Sequence, residues 1–219
     1  MRHVVNAAII SVSLALLAGI ALASDGEKRL VTATATEKVE VDPDEAVIKL
    51  GINSWDTDPV VAKKKNDDSL KKVQTLAKGF KVRKDGFQVS RITIEPTYQR
   101  GVPDFSGCYI RRTVVIRLQD VDKYEDVLLH SLKAGANKVM SVKFRTTQLK
   151  ELEEQARAKA IKAAKAKAET MASELGKLVG APHSIREDES RCYTSEGDGE
   201  SALDKIVVRS KVTVSFELK

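Results

Sequence analysis

Histidine, cysteine and tryptophan are scarce in this chain of 219 residues, which has three His, two Cys and one Trp and in which aromatic residues make up 5%. Its 37 basic and 31 acidic side chains are spread along the chain rather than gathered into basic patches interleaved with aromatics. That arrangement is unlike a nucleic-acid surface, so nucleic acid is not an expected partner. The formal net charge of +6 is too modest to name another. Five Pro and 12 Gly exclude a collagen-like or proline-rich chain, and 42% hydrophobic residues fit an ordinary globular protein.

Motifs that carry chemistry are missing too. The chain holds no G-x-S-x-G elbow, no H-E-x-x-H pair and no P-loop. Beyond residue 23 only His130 and His183 remain, so a nucleophile has few bases to work with, and neither histidine sits in a motif. His130 lies at the edge of a helical stripe and reads as a rim residue. Carboxylates are plentiful, but spacing singles out no acid/base pair. Glu196, Asp198 and Glu200 alternate with other residues in a polar loop, yet their spacing fails the calcium-loop pattern. No catalytic, metal or cofactor residue is assigned, and the expectation is a non-enzymatic protein without a cofactor.

What is present begins with an address. Arg2 and His3 precede an apolar run from Val4 to Ala23 that ends in Ala21-Leu22-Ala23, the small-x-small pattern that signal peptidase reads. Residues 1–23 are therefore expected to be a signal peptide, with Ser24 as the mature amino terminus and residues 24–219 as one domain in an exported, periplasmic protein. No transmembrane segment is expected after cleavage. The run is about 20 residues, long enough to span a bilayer, so an uncleaved anchor is the alternative.

Cys108 and Cys192 both follow this segment, and an even count in an exported chain reads as a disulfide. Such a bridge would contribute about 4–5 kcal/mol in the chain-entropy model. Two free thiols are the other reading. A zinc site is poorer, because there is no C-x-x-C spacing.

Hydrophobic periodicity predicts an α+β fold: mixed, mainly antiparallel sheets with three helices, one of them long and alanine-rich. Val31–Val41 and Ala46–Ile52 alternate as strands joined at the turn Asp42-Pro43-Asp44. Asp58-Pro59 opens a helix that closes at Gly79. Phe87–Tyr98 reads as one strand and Tyr109–Leu118 as its hairpin partner. Asp120 is the expected cap of a second helix with the stripe Val121, Tyr124, Val127, Leu128 and Ser131, and Val139, Val142 and Phe144 make a short strand.

The longest signal runs from about Gln148 to Leu178. There Leu152, Ala156, Ala160, Ala164, Ala168, Met171, Leu175 and Leu178 step by three or four residues. Lys159, Lys162 and Lys165 occupy another face, a candidate basic surface for acidic envelope components. Alanines allow a neighbour to approach closely, whether the chain's own sheet or a second subunit. Pro182–Glu187 reads as a short strand, Asp188–Asp204 as a polar loop containing Cys192, and Ile206–Leu218 as a strongly alternating final strand.

Several stretches resemble a known family. They are Val39-x-Val41-x-Pro43-Asp44-x-Ala46-x-Ile48-x-Leu50-Gly51, then Asn66, then Gly135-Ala136-Asn137-x-Val139-x-x-Val142-x-Phe144. The long helix adds Ala156-Arg157-x-x-Ala160, Lys167-Ala168, Ala172, Gly176, Leu178 and Gly180, followed by Ile185-x-Glu187. In order and spacing these are similar to the SIMPL-domain family, a domain of unknown function, from about Leu30 to Leu218. The resemblance implies a periplasmic or surface-associated bacterial protein of α+β fold, of a type that includes periplasmic immunogens and oxidative-stress-related members. No enzymatic activity is established for the family as a whole, and the resemblance implies assembly into ring-like or channel-like homo-oligomers, so the expected partner is a second copy of the chain. Two features depart from the family pattern. Ala33-Thr34-Ala35 stands where a G-x-G step is usual, and Cys108 and Cys192 lie outside it, as a bridge particular to this protein would.

Overall fold

The computed structural model describes residues 28–99, 101, 104–194 and 205–219. The signal segment, Ser24 and the acidic residues Glu196, Asp198 and Glu200 lie outside the described residues. The architecture is α+β as expected. Among the described residues the strands form two sheets in which every pairing is antiparallel, and three α-helices pack on them.

The first unit is a three-stranded sheet in the order β1 (Leu30–Val41), β8 (Ile206–Leu218), β7 (Val179–Thr194), with helix α3 (Leu149–Glu174) against it. The second is a five-stranded sheet built round β2 (Glu45–Asp56) and β5 (Phe105–Leu118). β6 (Lys138–Arg145) borders β2, while β3 (Phe87–Val89) and β4 (Thr93–Tyr98) follow one another along the other side of β5. Helices α1 (Pro59–Gly79) and α2 (Tyr124–Lys133) cover one face of it.

The turn at Asp42-Pro43-Asp44 does not make a hairpin. β1 pairs with β8 over its whole length, from Leu30 opposite Glu217 to Val41 opposite Ile206, and β2 enters the other sheet. A turn signal marks where the chain bends but not which strand becomes the neighbour. Here Asp44 is engaged elsewhere. Its carboxylate accepts from the Thr147 amide at 2.8 Å and the Thr147 hydroxyl at 2.8 Å, and its own amide donates to the Arg145 carbonyl at 3.0 Å. Thr147 belongs to the second crossing between the sheets, from β6 to α3, so one carboxylate joins both crossings.

Local chemistry explains some of the element ends. Asp58 caps α1 by accepting from the Val60 amide at 2.8 Å, with Pro59 in the first turn. Asp120 does not cap its helix, because its carboxylate pairs with Lys123 at 2.6 Å and a 3₁₀ turn, Val121–Lys123, precedes α2. The single strand expected over Phe87–Tyr98 is two strands. The Ser90 hydroxyl accepts from the Thr113 amide at 2.9 Å, substituting a side chain for a ladder position between β3 and β4.

The second unit's core is large and aliphatic: Ile48, Leu50, Ile52, Val114, Ile116 and Leu118 meet Val73 of α1 and Val127 of α2. Asn66 of α1 is fully buried among them, and its amide donates to the carbonyls of Ile52 at 2.8 Å and Ile110 at 3.1 Å, tying the helix to β2 and β5. In the first unit, α3 buries Leu152, Ala156, Ala160, Ala164, Ala168 and Ala172. The middle of that row meets Val31, Ala33, Val212, Val214 and Phe216. Ala172 rather than Met171 continues the row, and the helix stops at Glu174, so Met171, Leu175 and Leu178 are exposed. β7 is longer than expected and reaches Thr194, because an edge strand with solvent-facing polar residues shows no alternation to read.

Candidate functional site

The exposed face of the five-stranded sheet gathers the most varied chemistry. Ala46, Ile48, Leu50 and Ile52 point toward the helices, so the alternate residues Lys49, Gly51, Asn53 and Trp55 point away from them. The same rule places Tyr109, Arg111 and Thr113 of β5 on that outer face. Trp55 lies opposite Tyr109, Asn53 opposite Arg111, and Gly51 opposite Thr113.

Trp55 spreads across β5 because Gly107 has no side chain. A Cβ there would fall 2.6 Å from the indole Cζ2. The indole Nε1 donates to the Thr97 hydroxyl at 3.4 Å, and the Tyr109 ring lies 6.4 Å away, tilted by 52°. The Arg111 guanidinium sits 5.3 Å from the centre of the Tyr109 ring and donates to Glu95 at 3.0 Å. Trp55 is 43% exposed and Tyr109 39%.

Beyond Arg111 the face dips into an open hollow of about 340 Å³. Asn53, Thr93, Arg111, Thr113, Lys138 and Met140 line it, with Gly51 among its lining residues. Lys138 crosses Gly51 so closely that a Cβ there would meet the Lys138 Cβ at 3.1 Å. Asn137 prolongs the β2–β6 ladder with its side chain, donating to the Asn53 carbonyl at 2.6 Å and accepting from the Asn53 amide at 3.0 Å. Among the described residues the Asn53 side chain has no hydrogen bond and the Lys138 ammonium no ion pair. Sequence reasoning missed this face. Its signal was the phase of β2, which puts the chain's one tryptophan on the side away from Ile48, Leu50 and Ile52.

The expected bridge between Cys108 and Cys192 is not formed; both are free thiols. Neither is in a loop. Cys108 is buried in β5 of one sheet, packed with Ala62 and Ile110, whereas Cys192 lies in β7 of the other, opposite Val208. Cys192 borders a cleft of about 390 Å³ at the junction of the two units, with Phe144, Leu149 and Ile206. Burial, and then the negative charge of Glu153, pushes its thiol above the ordinary range, which disfavours the reactive thiolate.

Lys159, Lys162 and Lys165 are exposed on α3, away from its alanine row. Lys165 approaches Glu169 at 3.7 Å, and Lys159 and Lys162 have no ion pair among the described residues. Arg157, on the same helix, donates to Glu187 of β7 at 2.8 Å, and Ser210 of β8 donates to the other carboxylate oxygen at 3.0 Å. Arg157 holds the Glu187 carboxyl below the usual range. This clamp joins two positions that the family resemblance rested on. Among the described residues no group of three or more His, Cys, Asp or Glu side chains gathers to hold a metal, and no helix is long and apolar enough to cross a membrane.

The chain is 27% identical over 176 residues to the uncharacterized protein YggE of Edwardsiella ictaluri, covering 75% of this chain and 74% of the relative. It is 27% identical over 158 residues to YggE of Escherichia coli, covering 71% of this chain and 64% of that protein. YggE of Shigella flexneri matches with the same identity and coverage. The model of the SIMPL family, described as proteins of unknown function (DUF541), matches residues 31–216, from the second residue of β1 to near the end of β8, and the chain belongs to that family.

Proposed function

We propose that this is an exported, non-enzymatic SIMPL-domain protein that associates with copies of itself into a ring-like or channel-like assembly of the bacterial envelope, with a role in envelope or oxidative-stress tolerance. The surfaces first suited to that role, the alanine row of α3 and the alternating face of β8, are occupied within the subunit. The reading rests instead on what the three-stranded unit leaves uncovered. β1 and β7 are both sheet edges, and Met171, Leu175 and Leu178 are exposed by 43%, 72% and 72% where α3 turns into β7. Two different edges on one subunit suit a head-to-tail contact, which closes into a ring when the rotation permits.

Light scattering on residues 24–219 tests this. The expected result is one discrete mass, several times that of the subunit and unchanged by reductant because Cys192 carries no bridge. A subunit mass at micromolar protein and physiological salt overturns it. A second reading, a monomeric or dimeric module that presents the α3 lysines to acidic envelope components, is favoured by the exposure of Lys159 and Lys162 without ion pairs. Binding to anionic vesicles that survives changing Lys159, Lys162 and Lys165 to Gln dismisses that version.

A further inference from the structure

We infer that the outer face of the five-stranded sheet is a binding site for a short acidic oligosaccharide, with a sugar ring seated on Trp55 and a carboxylate held between Arg111 and Lys138. This face belongs to neither the uncovered edges of the other sheet nor the lysine row of α3.

Three observations carry the assignment. The first is the exposed aromatic platform. Trp55 lies against Gly107 with its indole nitrogen donating to Thr97, so its half-exposed ring is held in place on this face. A fixed, exposed indole is an apolar surface with one polar edge, suited to the C–H face of a sugar. The second is the hollow beside it, with the Asn53 amide and Lys138 ammonium unpaired among the described residues and hydroxyls at Thr93 and Thr113. Such convergent polar groups around a concavity fix a ligand's orientation. The third is charge. Lys49, Arg111, Arg117, Lys138 and Lys143 stand on this face by strand parity, against Glu45 and Glu95; Arg111 and Glu95 offset one another through the Arg111 Nη1, which leaves Lys49, Arg117, Lys138 and Lys143 against Glu45. The complement is an anion.

The spacing sets ligand size. Trp55 stands four residue steps along β2 from Gly51, where Lys138 crosses, which is about 13 Å along a strand. A single sugar ring does not reach from the indole to the ammonium, whereas a short oligomer does. The 52° tilt between the Trp55 and Tyr109 rings offers no parallel pair of platforms for successive bases, which favours a sugar over single-stranded nucleic acid.

Trp55 is the chain's one tryptophan, so intrinsic fluorescence reads the site directly. The full mature chain is titrated with a hexamer of galacturonic acid, a neutral hexamer of glucose and a hexathymidylate. The expected result is a saturable change in Trp55 emission with the galacturonate hexamer that weakens with added salt. Arg111→Gln and Lys138→Gln should each weaken that binding about tenfold or more, as the loss of a charge-assisted hydrogen bond does. Unchanged circular dichroism and melting show that these surface variants fold, and calorimetry with Trp55→Ala should show no binding. No saturable change with the acidic hexamer, equal binding of the neutral hexamer, tighter binding of the thymidylate, or affinity untouched by both charge variants overturns the assignment. So does burial of Trp55 that rises with protein concentration alone, because a second copy would then cover the face.

Discussion

The two units of this protein solve the same problem, one sheet face covered by helix, with opposite materials. The five-stranded unit fills the space between sheet and helices with Ile48, Leu50, Ile52, Ile116 and Leu118, side chains that are at most 1% exposed. The three-stranded unit uses a row of alanines on α3, so the helix backbone itself comes close to β1 and β8. Bulky cores lose most when a side chain is truncated, because a cavity remains. A close-packed alanine seam loses most when a side chain is enlarged, because nothing nearby can give way. One unit is sensitive to subtraction and the other to addition.

Substitutions on each side break or sharpen that contrast. The largest effect is expected for Leu50→Ala, which should lower unfolding free energy by about 2–5 kcal/mol in urea denaturation. Next is Ala164→Leu at the centre of the α3 row, expected to cost about 1–3 kcal/mol, whereas an added side chain at exposed Ala158 should be nearly neutral. If Ala164→Leu stabilises the protein, the close approach of α3 is wrong. Asp44→Ala removes the carboxylate that joins the two crossings and should cost about 1–2 kcal/mol. It should also separate the units, seen as unequal protection of β2 and β8 amides in hydrogen exchange, while the unaltered chain protects both in one cooperative step.

The smallest effect concerns acid. Hydrogen bonding to Arg157, and then to Ser210, holds the Glu187 carboxyl below its usual range, so folding releases its proton more readily than the unfolded chain does. The stability this adds is fully present above the ordinary carboxylate range and is lost as the pH falls through the lowered folded-state value. Glu187→Gln should therefore flatten the acid limb of a plot of stability against pH and leave neutral stability only slightly reduced, since the pair is partly solvated. An acid limb identical to that of the unaltered chain removes the clamp from the account.

Legibility in the sequence followed the physics of each element. α1 and β8 were readable because capping chemistry and strict alternation are local: Asp58-Pro59 opens the one, and Val208, Val212, Val214 and Phe216 share a face in the other. The pairing of β1 with β8 was not, because alternation tells which face is buried and nothing about the neighbour across the ladder. The last turns of α3 were misread for a related reason. Met171 and Ala172 both fit a helical stripe, and only the position of the sheet decides that alanine is inside. Cysteine count pointed to a bridge, but pairing needs two Cβ atoms side by side, and the fold places the two residues in different sheets. The Trp55 face was hidden because exposed residues on a strand carry no pattern of their own. They become a site only when β2, β5 and β6 are in register.

The partnership of β1 with β8 also dictates when the molecule can fold. β1 is the first described element to leave the ribosome and β8 the last, with the whole five-stranded unit synthesised between them. The five-stranded unit has all its strands once residue 145 has emerged, but β1 has no neighbour until residues 206–218 follow. Closing a ladder over such a separation is intrinsically slow. Until it closes, Val31 and Ala33 have no strand beside them. For a nascent chain this is a built-in delay: β1 has no strand partner until the last described strand is made.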